Sequence, residues 1–345
     1  MNSVRDPGKA GPGPVGTRPT LAAIAERAAV SVSSVSKVLN GRPGVSAGTR
    51  QRIEDLLDQE GYAPRGAGSY SSVIELVFFE LASEWLLEVL QGIESVASRA
   101  GYRIMLTPSN DLEHTGQIWV EEVIARRPGG VILIFSGLDA RQARQLRSRA
   151  IPFVVVDPAG EPQADVPYVG AQNWAGGLAA TEHLIGLGHR DIAIITGPAE
   201  QNCARARLAG FTSAMQAAGL ATPKDRVRTG HFHYDDGLTQ GRLLFNGPKP
   251  PTAVFASADL QAMGVYEAAA EAGLRIPDDL SVVGFDDLQL ARWAGPPLTT
   301  VHQPIREMAE IATRMVIEAP EVSERRLDLA THLVTRESTA PPRAR

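Results

Sequence analysis

Two sets of side chains in this sequence have the chemistry of recognition. The first is Ser31, Ser33, Ser34, Ser36 and Lys37, in the stretch SVSSVSK. These are short hydroxyls beside one cation. Such a face lets a backbone approach a nucleic-acid groove closely and offers donors to phosphates and base edges. A face made only for solubility would carry Glu and Lys. The second set is scattered: Glu80, Ser83, Trp85, Ser136, Asp157, Arg205, Arg207, Phe232, Tyr234, Asp259, Asp286 and Asp287. Carboxylates and a guanidinium hydrogen-bond vicinal hydroxyls in pairs, and an aromatic face covers the C–H face of a sugar. That combination suits a polyhydroxylated ligand.

The first set needs a helix to present it. Residues 20–40, TLAAIAERAAVSVSSVSKVLN, read as two short helices broken at Val30-Ser31. Leu21, Ile24, Ala25 and Ala28 give the first an apolar stripe, with Thr20 as its cap. Ser31 can cap the second, whose apolar positions are Val35, Val38 and Leu39. A third helix is expected over 47–60, capped by Ser46, with Ile53, Leu56 and Leu57 buried and Gly61 ending it. The plain alternative is an ordinary helical hairpin. The scattered set needs strands. VIELVFF, RIMLT, GVILIF, IPFVVVD, IAIITG, TAVFAS and LSVVGFDD run nearly all-apolar, as parallel strands buried on both faces do. Helical stretches at 86–100, 174–187, 207–218 and 261–272 separate them. This alternation implies an α/β fold of two doubly wound parallel sheets. Ligands of such sheets meet the carboxyl ends of strands, where the scattered residues fall.

The run AERAAVSVSSVSKVLNGRPGVSAGTRQRI, followed by EGYAP, resembles the DNA-binding headpiece of the lactose-repressor (LacI/GalR) family. The family pattern is V-S-x-x-T-V-S-R-V-L-N, then V-S-x-x-T-R-x-R-I and G-Y-x-P. Here Ser34 replaces the usual Thr and Lys37 the usual Arg. The resemblance extends nearly to the C-terminus. It implies a helix-turn-helix headpiece over 19–63 and a linker over 64–72. It implies a two-lobed, periplasmic-binding-protein-like effector and dimerisation domain over 73–339, with tails at 1–18 and 340–345. DNA contacts are then expected from Thr20, Leu21, Ser31, Val32, Ser33, Ser34, Ser36, Lys37, Asn40, Ser46, Thr49 and Arg50, with Val32 and Ser33 at the base-reading positions. Arg207, directly before LAGF, matches the family's effector-contacting arginine. Asp157 and Asp286 match its effector-contacting acids, and Phe232 an aromatic over the ligand. Glu80, Ser83, Trp85, Ser136 and Asp259 complete the expected effector set. Ala258 departs from the pattern, since the family often has an asparagine there. The linker PRGAGSYSS departs too. It lacks the leucine that wedges into the minor groove, leaving Tyr70 as a substitute or the stretch as a flexible tether. For Asp286 and Asp287 the competing role is a helix cap or an Asx turn, for Arg205 and Arg207 an ion pair, and for Trp85 and Phe232 plain core.

Composition sets the outer bounds. At 345 residues the chain exceeds one ordinary core, and 43 % apolar with 21 % charged content places it among globular proteins. Net charge is −5, yet residues 1–70 hold nine Lys and Arg against six Asp and Glu, net +3, so the remainder carries −8. A basic head on an acidic body suits DNA binding at one end. The single cysteine, Cys203, excludes a disulfide framework within the chain and points to a cytoplasmic setting. No apolar run reaches the ~18 residues of a membrane span, and no secretion signal is seen. GPGPVG formally fits G-x-G-x-x-G at Gly11, Gly13 and Gly16, but no strand precedes it, so it reads as a disordered tail. His231, His233, Asp235 and Asp236 resemble a metal cluster in a loop that varies in the family. No metal and no cofactor is expected. No GxSxG, phosphate-loop or HExxH motif supports an enzyme. The expectation is a cytoplasmic transcriptional regulator, a repressor acting as a homodimer on a palindromic operator. Its effector would be a mono- or oligosaccharide. The competing reading is a transporter's solute-binding protein, which shares the sensor fold but lacks a headpiece.

Overall fold

The computed structural model describes residues 20–39, 44–59, 71–78, 84–108, 117–135, 137–161, 165–247, 249–319 and 326–343. Asn40, the linker up to Tyr70, Glu80, Ser83 and Ser136 lie outside the described residues, as does the tail over 1–18. Two compact units result, a headpiece and a body.

The headpiece is three helices, α1 (Leu21–Arg27), α2 (Val32–Leu39) and α3 (Ala47–Gln59). Thr20 Oγ1 accepts from the Ala23 N–H at 3.2 Å and starts α1. Ser31 Oγ accepts from the Ser34 N–H at 3.1 Å and starts α2, and Ser46 Oγ accepts from the Thr49 N–H at 3.3 Å at α3. These side chains satisfy donors that a helix start leaves unpaired. Ile24, Ala25, Ala28, Val35, Val38, Ile53 and Leu57 close one core from all three helices. The apolar stripes fix which faces turn outward: Val32 stays 48 % exposed, and Ser33 and Lys37 lie beside it in the open.

The body begins with β1 (Ser71–Phe78), α4 (Glu84–Ala97), β2 (Arg103–Pro108), α5 (Gln117–Arg126), β3 (Pro128–Ile134), α6 (Ala140–Arg147), β4 (Phe153–Val156) and β5 (Tyr168–Ala171). Then come α7 (Asn173–Gly186), β6 (Ile192–Thr196), α8 (Asn202–Ala217), β7 (Val227–Thr229), α9 (Tyr234–Phe245), β8 (Ala253–Ala256), α10 (Asp259–Glu271) and β9 (Ser281–Asp286). Last are α11 (Gln289–Trp293), β10 (Thr299–His302), α12 (Ile305–Ile317), β11 (Arg326–Leu329) and β12 (His332–Val334). Ser71 and Ser72, expected in the linker, open β1 instead, because strand pairing uses backbone and tolerates exposed serines at an end.

Two sheets form, ordered β11-β5-β4-β3-β1-β2 and β12-β10-β9-β8-β6-β7. Every pairing is parallel except β10 with β12. β3, β4, β6, β8 and β9 are buried along their whole length, as their nearly all-apolar sequences imply. The chain passes between the lobes at 171–173, 302–305 and 329–332, so three crossings join them. Helices α7 and α8 touch closely in the second lobe. A Cβ on Gly177 would stand 2.3 Å from the Arg207 carbonyl, so only glycine permits this approach, which sets the Arg207 backbone against α7. Ala340, expected in a free tail, is docked: its carbonyl accepts from Ser281 Oγ at 3.0 Å, and its N–H donates to the same oxygen.

Candidate functional site

Strand ends build a polar centre between the lobes. Asp157 follows β4 of the first lobe, while Asp286 ends β9 and Ser257 follows β8 of the second. Arg207, on the second turn of α8, is 3 % exposed, reaches Ser257 and Asp286, and acts electrostatically on Asp157. Its Nε donates to Asn173 Oδ1 at 2.8 Å, one Nη to the Ser257 carbonyl at 2.5 Å, and the other to Gln303 Oε1 at 3.1 Å. Asp286 Oδ1 stands 3.7 Å from that last nitrogen. The guanidinium lies 3.6 Å from the centre of the Phe285 ring and 5.6 Å from that of Phe232. Asn173 and Gln303 sit at two of the three crossings, so Arg207 ties the hinge to the site.

The electrostatics are unbalanced. Asp157 is 4 % exposed and Asp286 6 % exposed, and one arginine serves both. Burial pushes Asp157 up to about 6, with Arg207 and Gln303 pulling it back. Burial pushes Asp286 up to about 7, against the pull of Arg207 and with a further push from Asp157. Asp157 Oδ2, Asp286 Oδ1 and Ser257 Oγ are buried and have no hydrogen-bond partner. A buried polar atom left unpaired is costly, so such a cluster calls for donors from elsewhere. The backbone is strained at the same place. Asp157, Phe232, Asp286 and Asp287 all have positive φ, a cost that persists where surrounding structure imposes it.

Of the other expected effector residues that are described, Asp259 and Trp85 fall apart from this centre, while Phe232 stays at its edge. Asp259 is fully buried; Oδ1 accepts from Thr300 Oγ1 at 2.5 Å and Oδ2 from the Leu288 N–H at 2.8 Å, so both oxygens brace the second lobe. Trp85 is 7 % exposed and packs on Phe135 with ring centroids 4.6 Å apart, inside the first lobe's core. Phe232 lies against Gly197, where a Cβ would come within 2.0 Å of its ring. Ala258 is the residue before α10 and is 5 % exposed. Asp287 pairs with His302 Nδ1 at 3.0 Å and with Arg336. Asp236 accepts from the His231 and His233 N–H groups and caps α9. Among the described residues no group of three or more His, Cys, Asp or Glu is placed to hold a metal ion. Cys203 is buried and its thiol is pushed up to about 12 by burial. Asn173 and Gln303 had no signal in the sequence, because neither lies in a recognisable motif.

Among the described residues no helix is long and apolar enough to cross a membrane. Residues 20–65 match the description "Bacterial regulatory proteins, lacI family", and residues 181–339 match "Periplasmic binding protein-like domain". The chain is 32 % identical over 329 residues to the ribose operon repressor of Escherichia coli K12, covering 92 % of this chain and 99 % of that protein. A solved complex of the transcriptional regulator CelR with cellobiose superposes with a TM-score of 0.70 at 33 % identity, covering 93 % of this chain and all of that one. The lac repressor dimer bound to operator and the anti-inducer ONPF gives 0.69 at 28 % identity, covering 94 % and 100 %. A capped three-helix head, two largely parallel sheets joined by three crossings and relatives matched over nearly their whole length agree: the chain belongs to the lacI family of bacterial regulatory proteins.

Proposed function

We propose that this regulator is a cytoplasmic repressor that binds a palindromic operator as a homodimer and is controlled by a neutral mono- or oligosaccharide held between its lobes. The observation that carries the effector class is the pair of buried acids, Asp157 and Asp286, each with an unpartnered oxygen beside a single arginine. Sugar hydroxyls donate to such oxygens, whereas an anionic ligand would add charge to a site already short of cations. Half-buried Phe232 supplies an apolar face. The names of the ribose operon repressor and of the CelR–cellobiose complex support the same class.

The headpiece, taken as residues 19–63, meets DNA through the exposed face of α2. Val32 and Ser33 read base edges there, and Lys37 neutralises phosphate. Residues 64–72 connect it to the sensor over 73–339. Lobe movement about the three crossings changes the spacing of two headpieces and so their fit to half-sites about one helical turn apart. A solute-binding role leaves the headpiece without a purpose. The test pairs a thermal-shift screen of ribose, cellobiose and glucose against gluconate and glucose 6-phosphate with anisotropy on labelled upstream DNA. A neutral sugar raises the melting temperature and shifts operator affinity. Stabilisation by the anionic compounds alone would overturn the effector class.

A further inference from the structure

Arg205 and Asn202 are not spent on the polar centre described above, yet they sit at its edge. Arg205 donates one Nη to the carbonyls of Ala199 and Glu200, both at 2.8 Å, and the other to Asn202 Oδ1. A guanidinium only donates, so the Asn202 amide must turn its oxygen to Arg205 and its NH2 group away. That NH2 group donates across the cleft to the Gly160 carbonyl at 2.5 Å. The Asn202 backbone N–H donates to the Ala159 carbonyl at 2.7 Å. Asn202 opens α8 of the second lobe, whereas Ala159 and Gly160 follow β4 of the first. Helix α8 has no side-chain cap of its own, because Gln201 makes no cap bond. Its first N–H is therefore satisfied by the opposite lobe. Asp157 lies two residues before Ala159, and Arg207 five residues after Asn202.

We propose that Asn202, aimed by Arg205, is a latch between the lobes that sets how long a ligand stays in the cleft. The lobes cannot part here without giving up both bonds to the 159–160 carbonyls. Each bond reforms only when α8 and the β4 loop return to register. The latch acts after entry, so it bears on dissociation more than on association. Arg205 is a positioning residue that works through the Asn202 amide. This rests on the cleft being the effector site proposed above.

The experiment uses the full chain with Asn202→Ala, Asn202→Asp and Arg205→Ala. Asn202→Asp keeps size but sets an acceptor against the Gly160 carbonyl. Amide hydrogen exchange over 201–206 is measured without ligand, and dissociation of ribose and cellobiose by stopped flow. Asn202→Asp raises exchange at the backbone amide of position 202 and speeds release about tenfold, with association and melting temperature held. Arg205→Ala does the same more weakly, and adds nothing in an Asn202→Ala background. Wild-type exchange and release in Asn202→Asp would overturn the latch, as would faster exchange that appears only with a fall in melting temperature. If neither sugar binds the wild-type chain, the sugar reading fails, while the exchange measurement still decides the latch.

Discussion

Asp157 and Asp286 hold protons more tightly in the fold than in the open chain, and that has a consequence with a definite sign. A carboxyl raised above its ordinary value contributes stability that is full below about pH 4 and is lost as pH rises through about 6 for Asp157 and about 7 for Asp286. The ligand-free protein should therefore lose melting temperature between pH 5 and pH 8 on account of this pair. A sugar's hydroxyls favour the ionised form, so binding should release protons and affinity should rise across the same window, by up to roughly tenfold per pH unit. Calorimetry in two buffers of different ionisation enthalpy measures the proton count; no proton exchange would refute it. Arg207→Ala is a harsher change. It leaves two buried acids without a counter-charge and strips partners from Asn173, Ser257 and Gln303. The variant should lose about 3–5 kcal/mol by denaturant titration and fail to bind effector. Operator binding should survive at low temperature, because the headpiece has a core of its own.

At the scale of elements, the α7–α8 contact carries the arginine. Gly177→Ala places a methyl 2.3 Å from the Arg207 carbonyl and 2.9 Å from its Cα. The helices must part, which should cost about 1–3 kcal/mol and move the guanidinium off its partners. Thermal melts and effector titration of that variant check both effects. In the headpiece, Lys37→Ala should weaken binding to all DNA sequences and lower the salt slope by about one per head, read by anisotropy over a salt series. The long apolar strands were legible because burial on both faces writes itself as an unbroken run: β4, β6, β8 and β9 lie within the expected stretches, and β1 and β3 overlap theirs but start two residues earlier. β5, β10, β11 and β12 were not. They are three or four residues long, and RLDL and HLV mix polar with apolar. These unseen strands flank the crossings, which is why Asn173 and Gln303 went unrecognised. Arg207, Asp157 and Asp286 were legible from motif position. Asp259 had the same strand-end signal, yet both its oxygens serve the lobe, because Gly284 lets it approach β9 closely. Nothing in residue type separates those two outcomes.

On the proposed function the whole molecule presents two headpieces to one operator, and among the described residues Trp293 offers an anchor for that. Trp293, at the end of α11, is 73 % exposed, the most exposed of the large apolar side chains among the described residues. An indole left in water is costly, and tryptophan is enriched at the centres of protein interfaces. α11 is short, and Leu288 and Leu290 beside it pack with the first lobe's core, so the indole is held on a fixed platform and needs little ordering to be buried by a partner. Trp293→Asp should therefore leave the monomer folded but split the dimer, read as a halved mass in light scattering at micromolar concentration. Operator affinity should then fall by about 10²–10⁴, because the second half-site contact stops being intramolecular. Effector affinity should hold, since no bond at Arg207 involves α11. If the mass stays dimeric, the anchor lies elsewhere, and Leu87 on α4, 56 % exposed in the first lobe, is the next position to change. If the dimer splits while operator affinity is unchanged, one headpiece suffices, and control by headpiece spacing is wrong.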